Sequence, residues 1–92
     1  METDVFASRV AATGTVYTGR TRMRGISIAP DGGGAVSITL RDGGGSGTTR
    51  CVIDSVSTTV PYYLELPGSG ILFRTDIHAT ITNAAAITVF YG

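Results

Sequence analysis

Polar and apolar residues alternate with a period of two through most of this chain, and clusters of glycine and proline interrupt the alternation at short intervals. Such a pattern puts successive side chains on opposite faces of an extended backbone, and no stretch carries the i, i+3, i+4 spacing of an amphipathic helix. In 35–41, Val36, Ile38 and Leu40 point one way and Ser37, Thr39 and Arg41 the other. In 76–83, Ile77, Ala79 and Ile81 oppose His78, Thr80 and Thr82, and in 86–91 Ile87, Val89 and Tyr91 share a face. Ile26 and Ile28 alternate within 24–29, Tyr62, Leu64 and Leu66 alternate before Pro67, and a first strand is expected through Phe6–Ala12. Residues 49–56 place Cys51 and Ile53 opposite Val52, Asp54 and Val56, so both faces are partly apolar and a strand covered on both sides is expected.

The interruptions have turn chemistry. Pro30-Asp31-Gly32-Gly33-Gly34 and Asp42-Gly43-Gly44-Gly45-Ser46-Gly47 read as hairpin loops, because Asp-Gly pairs supply the positive φ that tight turns need. Pro67–Gly70 is a turn before Ile71-Leu72-Phe73, and Asn83 opens another before the last strand. About seven to nine short strands at roughly ten-residue spacing read as an all-β sandwich, jelly roll or barrel occupying 1–92 as one domain, and a small antiparallel β-sandwich of jelly-roll type is the expectation. The terminal Phe90-Tyr91 pair is expected to be docked, on the core or on a neighbouring subunit.

Composition narrows the function. Charged residues make up 15% of the 92 residues and the formal net charge is +0. No long-range field draws this chain to phosphates, so nucleic acid is not an expected partner. The single cysteine, Cys51, rules out an intrachain disulfide framework or a cysteine-based zinc site. A domain this small gains stability from association, so a homo-oligomer is expected. The acidic start Met1-Glu2-Thr3-Asp4 lacks the apolar run of a signal peptide, and no stretch reaches the roughly 18 apolar residues of a membrane span, so a cytoplasmic site of synthesis and no membrane partner are expected.

Candidate sites are few. Arg20, Arg22 and Arg24 alternate, so an extended chain gathers three like charges on one face, to be met by acids of a neighbouring strand or of a partner. All seven basic residues are arginine, which favours fixed, bidentate ion pairs. Asp31 and Asp42 serve turns, and the loops 30–34 and 42–47 that contain them can touch a partner closely through glycine. Tyr62 and Tyr63 after Pro61 offer a stacking surface for a sugar, although alternation buries one of them. His78 has Asp76 two residues away on its own strand face, within reach of a hydrogen bond, but no nucleophile spacing accompanies the pair. No catalytic, metal or cofactor set emerges, and an enzyme is not the expected class.

Leu66-Pro67-Gly68-Ser69-Gly70-Ile71-Leu72-Phe73, Asp76-Ile77-His78-Ala79-Thr80-Ile81-Thr82-Asn83 and the closing Ile87-Thr88-Val89-Phe90-Tyr91-Gly92 form a distinctive second half, preceded by Arg24-Gly25-Ile26-Ser27-Ile28 and Leu40-Arg41-Asp42-Gly43. Over residues 22–92 this resembles the short β-rich virion structural proteins of tailed bacteriophages, podoviruses in particular. The resemblance lies in strands and turns and carries no catalytic residue with it. It implies a virion component made in the host cytoplasm. A capsid decoration (cement) protein, a homotrimer bound to the major capsid protein or other virion proteins, is the leading expectation. A tail or fibre-associated accessory protein and a carbohydrate- or receptor-binding module are the alternatives. Arg20, Arg22, Arg24, Asp31, Asp42, Tyr62 and Tyr63 are the expected partner contacts.

Overall fold

A computed structural model describes residues 5–68 and 70–92; the acidic start and Ser69 of the expected turn lie outside the described residues. Among the described residues the alternating segments become nine strands: β1 (Phe6–Val10), β2 (Gly14–Thr18), β3 (Thr21–Pro30), β4 (Val36–Asp42), β5 (Thr48–Ser55), β6 (Tyr62–Glu65), β7 (Ile71–Phe73), β8 (Asp76–Thr82) and β9 (Ala84–Tyr91). One sheet runs β1-β9-β3-β6, with β7 also on β3, and the other runs β2-β8-β4-β5. Pairing is nested and antiparallel: β1 with β9, β2 with β8, β3 with β6 and β7, β4 with β5. The chain is thus one long hairpin, tipped by the β4–β5 loop and wound over so that β9 also meets β3 and β8 meets β4. That winding is a jelly roll, the expected class.

The core follows from the alternation. Ile26 and Ile28 of β3, Ile87 and Val89 of β9, Val36, Ile38 and Leu40 of β4, and Ile77 and Ala79 of β8 are all buried between the sheets, with Met23 and Phe73 beside them. Aliphatic burial of this kind contributes roughly 1.5–3 kcal/mol per large side chain, which offsets much of the entropy lost on folding. The terminal aromatics dock within the chain. The Tyr91 ring lies 4.5 Å from Tyr17 and 5.8 Å from Phe6, and Phe90 meets Tyr63 edge-on at 5.7 Å.

Two strands differ from expectation. The first strand ends at Val10, and β2 follows it directly although no strand was anticipated there. The reason is a register slip on β8 between Thr15 and Tyr17, which breaks the alternation around the buried Val16. The 49–56 strand was expected to be covered on both faces. Instead β5 is a sheet edge: Cys51 and Ile53 turn toward the core, while Val52 and Val56 stay exposed.

The two edges of the sandwich are unlike. At the β1/β2 edge the sheets are laced together, Ser8 Oγ donating to the Val16 carbonyl at 3.0 Å. At the β5/β6 edge they part around a cleft, bridged by the Ser55 Oγ–Tyr62 hydroxyl hydrogen bond of 2.7 Å. The turns also divide. Residues 11–13, 31–35, 56–61 and Asn83 form one end of the molecule, and residues 19–20, 43–47 and 74–75 form the other.

Candidate interaction site

The three arginines gather at the second end. Arg20 lies in the bend before β3, and Arg22 and Arg24 lie on β3 itself. Pairing of Thr21 with Phe73 brings a fourth, Arg74, out of β7 beside Arg20. Sequence alternation alone does not set their directions: β3 carries an extra residue between Met23 and Gly25 against β9, so Arg24 sits on a bulge. Its Nε donates to the main-chain oxygen of Gly92 at 3.3 Å. The single ion pair among the described residues joins Arg50 to Asp42 at 3.6 Å, so Arg20, Arg22, Arg24 and Arg74 have no acid partner there.

Asp42 does something the sequence concealed. It is the buried polar residue at the inner end of β4, and its carboxylate accepts the main-chain N–H groups of Arg74, Thr75 and Asp76 at 2.8, 2.8 and 3.4 Å. Those three donors hold its pKa below the ordinary 3.8, the Arg74 and Thr75 N–H groups most strongly, with Arg50 adding to the effect and burial opposing it. The Asp42 carboxylate is thus engaged by main-chain N–H groups and Arg50 of its own chain. The group is spent inside the fold, where it ties the β7–β8 turn, by which the chain crosses from one sheet to the other, to β4. Asp76 is occupied in a related way, its Oδ1 accepting from Gly43 and Gly44 N–H at 2.8 and 3.1 Å. These bonds fold the glycine loop back over β8, where a Cβ on Gly45 would come within 3.4 Å of the His78 ring. No hydrogen bond links Asp76 to His78 among the described residues, and the buried His78 Nδ1 has no partner there.

Asp31 does serve a turn: its Oδ1 accepts the Gly33 N–H at 2.7 Å. It stands at the opposite end from the arginines, so loops 30–34 and 42–47 cannot contact one flat partner surface together with the whole set. Tyr62 is half-buried at the cleft with its hydroxyl engaged by Ser55. Tyr63 lies on the outer face of the other sheet, over Gly25 and against Phe90. The two tyrosines therefore face different ways and make no shared stacking platform. Burial raises the Cys51 thiol above its ordinary 9.0.

The feature that sequence reasoning missed is the β5/β6 cleft, about 420 Å³ in volume and lined chiefly by Ile53, Val56, Val60, Tyr62 and Leu64. Alternation in each strand hinted at apolar faces, but only the fold sets the two strands opposite one another across a parted edge. No protein-family model, curated protein or solved structure matches this chain. The jelly-roll assignment accordingly rests on strand order and register alone.

Proposed function

We propose that this chain is a bacteriophage virion structural protein, a capsid decoration protein that binds across major capsid subunits and holds the shell against internal pressure. The observation that supports it is the arginine end. Arg20, Arg22, Arg24 and Arg74 emerge together on a domain of zero net charge, and the acids beside them, Asp42 and Asp76, are consumed by main-chain N–H groups. A local positive surface without a global field suits docking on a fixed acidic surface, where charge complementarity sets register and partner choice. The mechanism is binding energy alone, repeated over many equivalent positions of the shell and multiplied by linkage between copies in an oligomer such as a trimer.

The test is co-sedimentation with expanded empty capsids. Wild-type protein binds saturably, and Arg22→Glu weakens binding by about tenfold or more, since it places a like charge against the acidic surface. Unchanged affinity of Arg22→Glu would move the contact away from this end. Binding to tails and none to capsids would replace the decoration reading with a tail-accessory one.

A further inference from the structure

Large apolar side chains that remain exposed fall on the two opposite edges of the sandwich. Val5 and Phe6 stand at the β1 edge, 52% and 56% exposed. Val56 and Val60, 77% and 66% exposed, stand with Leu64 around the β5/β6 cleft. Charge divides along the same line. Asp31, Asp42 and Asp76 accept main-chain N–H groups, whereas Asp54 on β5 and Glu65 on β6 accept no hydrogen bond from the described residues. Both are exposed; Asp54 lines the cleft, whereas Glu65 follows Leu64 on β6 outside the lining. Arg9, exposed on β1, has no acid partner among the described residues. One edge therefore presents an apolar knob on a strand that also carries an unpaired cation, and the other presents an apolar hollow with the carboxylate of Asp54 in its wall.

We propose that the β1 edge of one copy docks in the β5/β6 cleft of a second copy. Val5 and the exposed side of the Phe6 ring, whose other side rests on Tyr91, enter the cleft against Val56, Val60 and Leu64, and Arg9 meets Asp54. A cavity of roughly 150 Å³ holds a benzene ring, so a cleft of about 420 Å³ has room for a phenyl ring and an aliphatic neighbour. β5 and β6 are each bonded on one side only within the described residues, so docking also covers a row of main-chain groups that would otherwise invite uncontrolled pairing. Two different surfaces meet, so the contact is head-to-tail. It closes into a ring where the rotation between copies allows and extends into a filament where it does not. The association is a property of the isolated protein and does not depend on shell binding.

The decisive experiment is native mass spectrometry of wild type, Phe6→Glu, Val60→Glu and an equal mixture of the two variants, with circular dichroism to confirm the β spectrum. Wild type forms an oligomer. Each variant loses one of the two surfaces, and its self-association weakens by about 30-fold or more, as expected for an apolar anchor replaced by a charge. The mixture forms a one-to-one heterodimer and stops there, because the intact β1 edge of Val60→Glu fills the intact cleft of Phe6→Glu. If Val60→Glu does not fold, Val56→Glu on the same cleft replaces it. A monomeric wild type, an oligomer indifferent to both substitutions, or a mixture without heterodimer would each overturn the proposal. A monomer whose cleft binds an apolar dye would assign the cleft to a small apolar ligand instead.

Discussion

Gly25 of β3 lies under the ring of Tyr63, and replacing it with alanine probes the pairing of β3 with β6 that completes the first sheet. A Cβ built there would collide with the Tyr63 hydroxyl oxygen and stand 2.9 Å from Cζ and 3.1 Å from the Leu64 carbonyl oxygen. The ring must swing away. It is 53% exposed, so about half of its apolar surface is already in water, and expulsion forfeits the rest together with the edge-on contact to Phe90. Half the burial of an aromatic side chain is worth roughly 1 kcal/mol, and an aromatic pair adds about 0.5–1.5 kcal/mol. Against this, glycine to alanine in extended backbone stabilises by about 0.4–1 kcal/mol through the unfolded chain. Gly25→Ala should therefore cost about 1 kcal/mol net in urea denaturation. In a Tyr63→Ala background the ring is gone and only the close approach to the Leu64 carbonyl oxygen remains, so the same change should cost clearly less. A double-mutant cycle should return a coupling of about 1 kcal/mol or more, as contacting residues do. Additive effects, or a stabilising Gly25→Ala in the wild-type background, would mean that the Tyr63 ring does not rest on Gly25 and that the β3–β6 register is wrong.

Other consequences follow from the same geometry. Asp42 has a lowered pKa in the folded state, so its stabilising contribution is present above the unfolded value near 3.8 and is lost as pH falls through the lower folded value. Acid titration of thermal stability should show that loss in wild type, whereas Asp42→Asn should be less stable at neutral pH and should lack the carboxylate-dependent step. A variant as stable as wild type at pH 7 would contradict the clamp. Ile38 is fully buried between the sheets, so Ile38→Ala should cost about 2–5 kcal/mol by chemical denaturation; a cost under about 1 kcal/mol would place Ile38 outside the core.

The fold was largely legible because the alternation runs unbroken through β4 and holds over Ile26–Ile28 of β3, Ile77–Ala79 of β8 and Ile87–Val89 of β9, each with one buried face. Val36, Ile38 and Leu40 could only face a core together, and Asn83 sits in its turn at φ 59° in the left-handed conformation that asparagine tolerates. β2 escaped because its bulge near Val16 disrupts the period on which the reading depends. β5 was misjudged because an apolar outer face looks the same in sequence whether a sheet or a partner covers it. Asp42-Gly43 carries the signature of a turn, yet the aspartate reaches three main-chain N–H groups more than thirty residues away. Main-chain donors leave no mark in side-chain identity, so nothing in the sequence announces that clamp. The arginine cluster was visible as Arg20, Arg22 and Arg24, while Arg74 joins it through strand register alone. The cleft was hidden for the same reason, since it exists only between edges that the winding brings together.

Cryo-electron microscopy of phage particles assembled in cells that make this chain tests the proposed decoration role most directly. A decoration protein should give jelly-roll density at regularly repeated positions on the outer surface of the shell, with the Arg20, Arg22 and Arg74 end turned toward the capsid subunits. A shell bare of such density, or density confined to the tail, would contradict that role.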